Sequence, residues 1–224
     1  MAAPFVHLHV HTEYSVKDSI VRIKDLAKKT AELGMSAVAM TDHGNLFGAV
    51  DFYQKMQSAG VKPILGCEIY LAPTGLDQKK DIPGRLRSTH LTLLAKDTTG
   101  WNNLTKLISV GHLEGEYFGE PRVDRERLRE FSEGVICLSG CDNGPIQEWL
   151  KAGDMEKARA EVKLLKDIYG GEDFYIELMD HALEKQQDSI AALRGLADEF
   201  DLKVVATNDV HFIEQQDHEA LDCL

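Results

Sequence analysis

The chain has 224 residues, 43% of them hydrophobic and 28% charged, and its 25 basic against 37 acidic side chains leave a net charge of −12. That length buries a sizeable core, which excludes a disordered chain, and no apolar run approaches the roughly 20 residues of a membrane span. The charge excludes a domain that grips nucleic acid by phosphate neutralisation alone. A phosphate-handling protein this acidic needs positive charge from another source, and bound divalent cations supply it.

The N-terminus MAAPFVHLHV has neither a basic region nor a long apolar stretch. It does not read as a signal peptide, and a cytoplasmic protein is expected. Cys67, Cys137, Cys141 and Cys223 form no CxxC pair, which argues against a disulfide framework and a cysteine-rich zinc finger.

In chain order, PFVHLHV predicts the first strand, and IVRIKDLAKKTAELG a helix with Ile20, Ile23, Ala27 and Ala31 on one face and Gly34 as its stop. SAVAMT is the second strand, NLFGAVDFYQKMQSAG the second helix and KPILGCEIYLA the third strand. A polar insert, PTGLDQKKDIPGRLRS, leads to a fourth strand, HLTLLA. A helix at WNNLTKLISVGH and a charged stretch containing VDRERLREF precede the fifth strand, GVICLSG. NGPIQEWLKAG and MEKARAEVKLLKDIYG are helical, FYIELM is the sixth strand, EKQQDSIAALRGLADEF a long helix and KVVATNDV the seventh strand.

Strands alternating with helices signify βα units and a parallel sheet. The expected fold is α/β, a seven-stranded (β/α)7 barrel distorted from the eight-stranded TIM form. An open doubly wound sheet is the alternative, but the first strand is followed by HTEYSVKDS rather than a glycine-rich phosphate loop. The chain stops at QQDHEALDCL without a capping signal, so residues 1–224 are expected to be one domain cut from a longer protein.

Barrel chemistry sits where strands end. The first strand ends on His9 and His11, two positions apart and so on one face, about 6.6 Å from each other by strand rise. His7 shares that periodicity but falls towards the other mouth and is read as structural. Asp18 follows in the loop; the second strand ends in Asp42 and His43; Glu68 is a charge in an apolar strand; His90 borders the fourth strand; Cys141 follows the fifth; Asp209 and His211 end the seventh. Asp42 reads equally as a residue orienting His43 or as a turn former. Asp180 and His181 fall at the mouth by position and are possible substrate contacts, and QKKDIPGRLR reads as a solvated loop that could approach a DNA backbone.

Unpaired, so many polar groups converging in one mouth would be costly to bury, whereas metal coordination satisfies them all. Imidazoles and carboxylates with at most one thiolate suit zinc or manganese, with iron possible, better than magnesium or calcium. The donors exceed what one tetrahedral ion needs, which points to two or three divalent ions and to phosphoester hydrolysis.

The motifs HLHVHTEYSVKD, MTDHGNLFGAVDFY, KPILGCEIY, STHLTLLA, VICLSGC and VVATNDVHF resemble those of the PHP (polymerase and histidinol phosphatase) domain family. The variant is the one carried by bacterial replicative DNA polymerase III alpha subunits. The resemblance implies a seven-stranded barrel with a trinuclear site whose ligands fall on His9, His11, Asp18, His43, Glu68, His90, Cys141, Asp209 and His211, all of coordinating type. Asp18, His43 and Asp209 are then the catalytic candidates. It further implies a metal-dependent 3′–5′ exonuclease that proofreads a DNA 3′ end, with the remainder of the polymerase alpha subunit as partner and no membrane. Two alternatives stay open: a non-catalytic metal-bound scaffold that docks a separate exonuclease subunit, and a small-molecule phosphatase of the histidinol phosphatase kind.

Overall fold

The computed structural model describes residues 5–182, 184–221 and 223. Strand β1 (Ala37–Met40) reads AVAM, apolar and buried throughout, as a strand covered on both faces must be. It pairs in parallel with β2 (Lys62–Leu71), Ala37 opposite Lys62 through Met40 opposite Leu65. Helices α1 (Ile23–Glu32) and α2 (Ala49–Ser58) turn Ile23, Leu26, Phe52 and Met56 onto this part of the sheet.

Beyond β1, β2 continues antiparallel to β3 (Thr89–Ala95), setting Glu68 opposite Thr92 and Tyr70 opposite His90. The sheet then runs through β6 (Val135–Leu138), antiparallel to β3, and on in parallel through β7 (Phe174–Met179) and β8 (Lys203–Thr207). The N-terminal segment closes the ring. It bridges Val38 through His7 and Val210 through Val10, the amide of Ala39 donating to the His7 carbonyl and that of His11 to the Val210 carbonyl, each at 2.8 Å. The result is a closed, distorted seven-membered barrel.

Three features depart from the sequence reading. The fourth barrel strand, β3, is antiparallel to both neighbours. The insert before it forms no crossover helix, and without one the chain can only return beside β2 in the opposite sense. This direction is why His90, at the start of its strand, lies at the same mouth as residues that end theirs. Secondly, the first strand is not regular. The chain bends at His9, so that Leu8 lines the barrel floor while His9 meets Glu68 inside. His7 therefore does not share the inward side of His9 as strict alternation requires; its ring instead meets Phe5 edge-on at 4.8 Å. Thirdly, the charged stretch holds a hairpin, β4 (Glu116–Tyr117) and β5 (Glu120–Val123), and a short helix, α4 (Arg125–Glu130), started by the Asp124 side chain accepting from the Arg127 amide.

Helices α3 (Thr98–Leu113), α5 (Pro145–Lys151), α6 (Met155–Asp173) and α7 (Glu184–Glu199) cover the rest of the ring over a core that includes Leu91, Leu104, Leu165, Phe174 and Leu196. Asp97 and Asp154 cap α3 and α6 by accepting from the amides of Gly100 and Lys157. Inside the barrel the floor is apolar: Leu8, Ile64, Leu94, Leu138 and Val205 line an open cavity of about 660 Å³. One turn of pleat higher, Glu68, Thr92, Glu177 and Thr207 face the same interior and make the other mouth polar. No helix among the described residues is long and apolar enough to cross a membrane.

Candidate metal centre

Seven of the nine donors expected from the sequence form three groups whose ligand atoms lie within 4.8 Å of one another. These are His9 with His11 and Asp209, His11 with His43 and Glu68, and Glu68 with His90 and Cys141. His11 and Glu68 are shared, so the groups form one continuous cluster. The other two donors stand at its rim: an Asp18 oxygen is 3.7 Å from His43 Nε2, and His211 Nε2 is 3.0 Å from Asp209 Oδ1.

Glu68 is the hub. One oxygen lies 3.4 Å from both His9 and His90, and the other 3.2 Å from His11 and 2.9 Å from His43. Asp209 reaches His9 and His11 at 3.4 and 3.2 Å because its backbone takes a left-handed turn, φ 48°, just past β8. An aspartate tolerates that conformation better than most residues, and such local strain concentrates at functional sites.

The imidazoles are aimed by partners behind them. His9 Nδ1–H donates to Glu177 at 2.8 Å, and the same carboxylate accepts from Thr207 Oγ1 at 2.6 Å and from the Gly140 amide at 3.1 Å. His11 Nδ1–H donates to the Ser15 hydroxyl at 3.0 Å, and that hydroxyl donates to Asp42 at 2.7 Å. A histidine whose Nδ1 is committed in this way carries its lone pair on Nε2, directed at the cluster. Gly140 sits at φ 89° with the His90 carbonyl only 2.1 Å from where a Cβ would be, so a side chain there would push apart the segments that carry His90 and Cys141.

Sequence reading missed Glu177 and Ser15. Glu177 carries the signal that identified Glu68, a charge within an apolar strand; Ser15 carries none. Asp42 does not touch the His43 ring. It accepts from the Thr12 amide at 2.6 Å, the Thr12 hydroxyl at 2.7 Å and Ser15, so it steadies His11 through Ser15. Nor do Asp180 and His181 point at the cluster. Asp180 accepts from the Ala182 amide and from Gln187, and His181 bonds Gln186 and the Asn208 carbonyl, so both organise the loop into α7.

The donor set fits metal ions by a test internal to the structure. His9 Nε2, His11 Nε2, His43 Nδ1 and both Glu68 oxygens are buried and, although they face one another at 2.9–3.4 Å, none is aligned for a hydrogen bond. Buried polar atoms are almost always paired, and these five all lie within the cluster, where coordination would satisfy them.

Burial pushes the His11 imidazole down, but Asp209 and Glu68 outweigh it and raise it from 6.5 to about 9. His9 is likewise raised well above its ordinary value, burial being overcome by Glu177 and Glu68. Against the pull of burial, the surrounding imidazoles hold Glu68 and Asp209 well below the usual carboxylate range.

The raised imidazoles stabilise the metal-free fold fully below pH 6.5, and that contribution is lost as pH rises through about 9. Metal must displace the same protons, so its stabilisation grows over the same window. In thermal denaturation at stepped pH, the rise in melting temperature on adding zinc or manganese to chelator-treated protein is expected to increase from pH 6.5 to 9. A pH-independent rise would contradict this.

Fold and site together define a β/α-barrel protein with a candidate multi-histidine metal centre at one mouth. The PHP domain family model matches residues 7–181. The chain is 41% identical to the DNA polymerase III subunit alpha of Saccharopolyspora erythraea, an alignment covering 99% of this chain and 20% of that protein. It is also 41% identical to the same subunit of Borreliella burgdorferi, covering 98% of this chain and 19% of that protein. A crystal structure from Bifidobacterium adolescentis, assigned as a metal-dependent phosphoesterase, superposes with a TM-score of 0.57 at 14% identity, over 97% of this chain and 95% of that one. The chain belongs to the PHP domain family, and it spans about a fifth of the length of the polymerase subunits it matches.

Proposed function

We propose that this chain is a metal-dependent phosphoesterase module of a bacterial replicative DNA polymerase, acting in the cytoplasm as a 3′–5′ exonuclease on mispaired DNA ends. On this reading residues 1–224 are one PHP domain of a longer polymerase alpha chain. The observation that carries it is the continuous cluster, three ligand groups joined through His11 and Glu68. A set of this kind suits two or three ions, zinc or manganese, with iron also compatible. When bound, such ions supply Lewis acidity for an in-line displacement at phosphorus.

The chain's own residues position that chemistry. Glu177 and Ser15 hold the rings of His9 and His11 with Nε2 inward. Asp18 projects from its loop with half of its side chain exposed, open to an entering substrate. His43 and Asp209 border the same opening, and we assign these three to the reacting atoms.

One observation favours a second reading, a metal-bound scaffold that docks a separate exonuclease subunit. Val16, Phe47 and Val50, on the loops and helix start that carry Asp18 and His43, are at least 70% exposed, apolar side chains that a docked subunit would cover.

The test is release of nucleotides from a labelled, 3′-mismatched primer with added manganese or zinc, comparing the native chain with Asp18→Asn at matched metal content. The nuclease reading expects release that the variant loses by a hundredfold or more. Full metal content with no release supports the scaffold.

A further inference from the structure

The hairpin β4–β5 carries features that its role in the fold does not explain. Its turn is Phe118–Gly119, with left-handed φ values of 54° and 83°. The first central position of such a turn favours asparagine, aspartate or glycine, and a bulky side chain there is an outlier. Phe118 is also 71% exposed. The chain thus holds an aromatic ring in a strained conformation and in water, which points to a contact outside the fold.

The ring is supported. The Arg87 guanidinium lies 4.5 Å from its centroid and 5.9 Å from that of Tyr117, and the two rings meet edge to face at 4.7 Å. Behind them Arg122, a buried arginine with one N–H group lacking a partner, sits 4.3 Å from the Tyr117 ring.

The hairpin is also fastened to the metal-centre side of the barrel. β5 pairs with the end of β2, Arg122 opposite Tyr70, and Tyr70 stacks on His43 at 5.6 Å and meets His90 edge-on at 5.1 Å. Ser88, two residues before His90, donates to Glu120 at 2.8 Å. Pro121 packs so closely on Gly44, the residue after His43, that a Cβ there would come within 2.6 Å of its ring. Phe118 stands in the hairpin turn, at the end of β5 that leads away from Pro121.

We propose that Phe118, with Tyr117 and Arg87, is a stacking platform for an unpaired base of single-stranded DNA whose 3′ end enters the metal centre. This rests on the nuclease reading for the substrate class. With a net charge of −12 the chain cannot hold a strand by phosphate neutralisation, whereas aromatic stacking supplies affinity that is indifferent to charge and to sequence.

The test needs neither metal nor hydrolysis. In chelator and at physiological salt, which screens the repulsion between DNA and an acidic chain, a short mixed-sequence single-stranded oligodeoxynucleotide is titrated into the native chain, Phe118→Trp and Phe118→Asn, with affinity read by titration calorimetry and stacking by tryptophan emission. The tryptophan variant is expected to show quenching that the native chain, with Trp101 and Trp149 only, does not. The asparagine variant is expected to bind about tenfold more weakly while melting at the same or a higher temperature, since asparagine suits the turn; its loss then cannot be misfolding. Absence of quenching, or equal affinity of the native and asparagine chains, overturns the platform and assigns the ring to an apolar protein segment. Quenching without nucleotide release in the primer assay fails the nuclease reading and leaves the platform. Release with unchanged binding by Phe118→Asn does the reverse.

Discussion

Glu68→Gln is expected to remove most of the bound metal and to lower any hydrolytic activity more than a hundredfold. Glu68 belongs to two of the three ligand groups, and its two oxygens together face four imidazoles between 2.9 and 3.4 Å away. An amide keeps one oxygen but directs its NH2 group at the ring nitrogens that the other oxygen faced, and it removes the charge that offsets the ions. Residues that merely support a ligand cost 10–100-fold in affinity or activity when lost, and a shared ligand should exceed that. Elemental analysis of the purified variant checks the first part and primer hydrolysis the second. Native metal content in Glu68→Gln would show that the cluster is not organised around this carboxylate.

The second large effect is expected at a residue outside the cluster. All three partners of the Glu177 carboxylate donate to it: His9, Thr207 and the Gly140 amide. Glutamine offers one acceptor and one donor. With its NH2 towards Gly140, two donors meet in a buried space. With its NH2 towards His9, the imidazole must accept at Nδ1 and so carry its proton on Nε2, the atom that faces Glu68 and Asp209. Either way metal affinity is expected to fall 10–100-fold, as measured by competition with a chromogenic chelator. Because Glu177 lies behind His9, a variant that kept native affinity would mean that packing alone aims the His9 ring.

Much of this site was legible because barrel geometry converts a linear pattern into a place. The pairs His9 with His11 and Asp209 with His211, each at a strand end, and the isolated charge of Glu68 within GCEIY all reduce to one question, which residue stands at the mouth. Asp209 needed no knowledge of its left-handed turn to be found, since NDVH after an apolar strand announces it.

What stayed hidden depended on strand direction and on contacts distant in sequence. That β3 runs antiparallel follows from the absence of a helix in the insert before it, yet a polar insert looks the same whether it crosses the sheet or returns beside it. The bend at His9 cannot be seen in an alternating run. Asp42, open in the sequence between orienting His43 and forming a turn, steadies His11 through Ser15 and does not touch the His43 ring. The hairpin at Glu116–Val123 was missed because EYFGEPRV is short and charged, and its turn uses Phe118 where turn chemistry calls for asparagine.

The central claim is that one barrel mouth holds a multinuclear centre. Its most direct test is metal stoichiometry: the native chain stripped by chelator, reloaded with zinc or manganese, freed of excess ion and assayed by elemental analysis. The ligand groups predict two or three ions per chain, fewer in Glu68→Gln. A native chain that retains one ion or none would contradict the account.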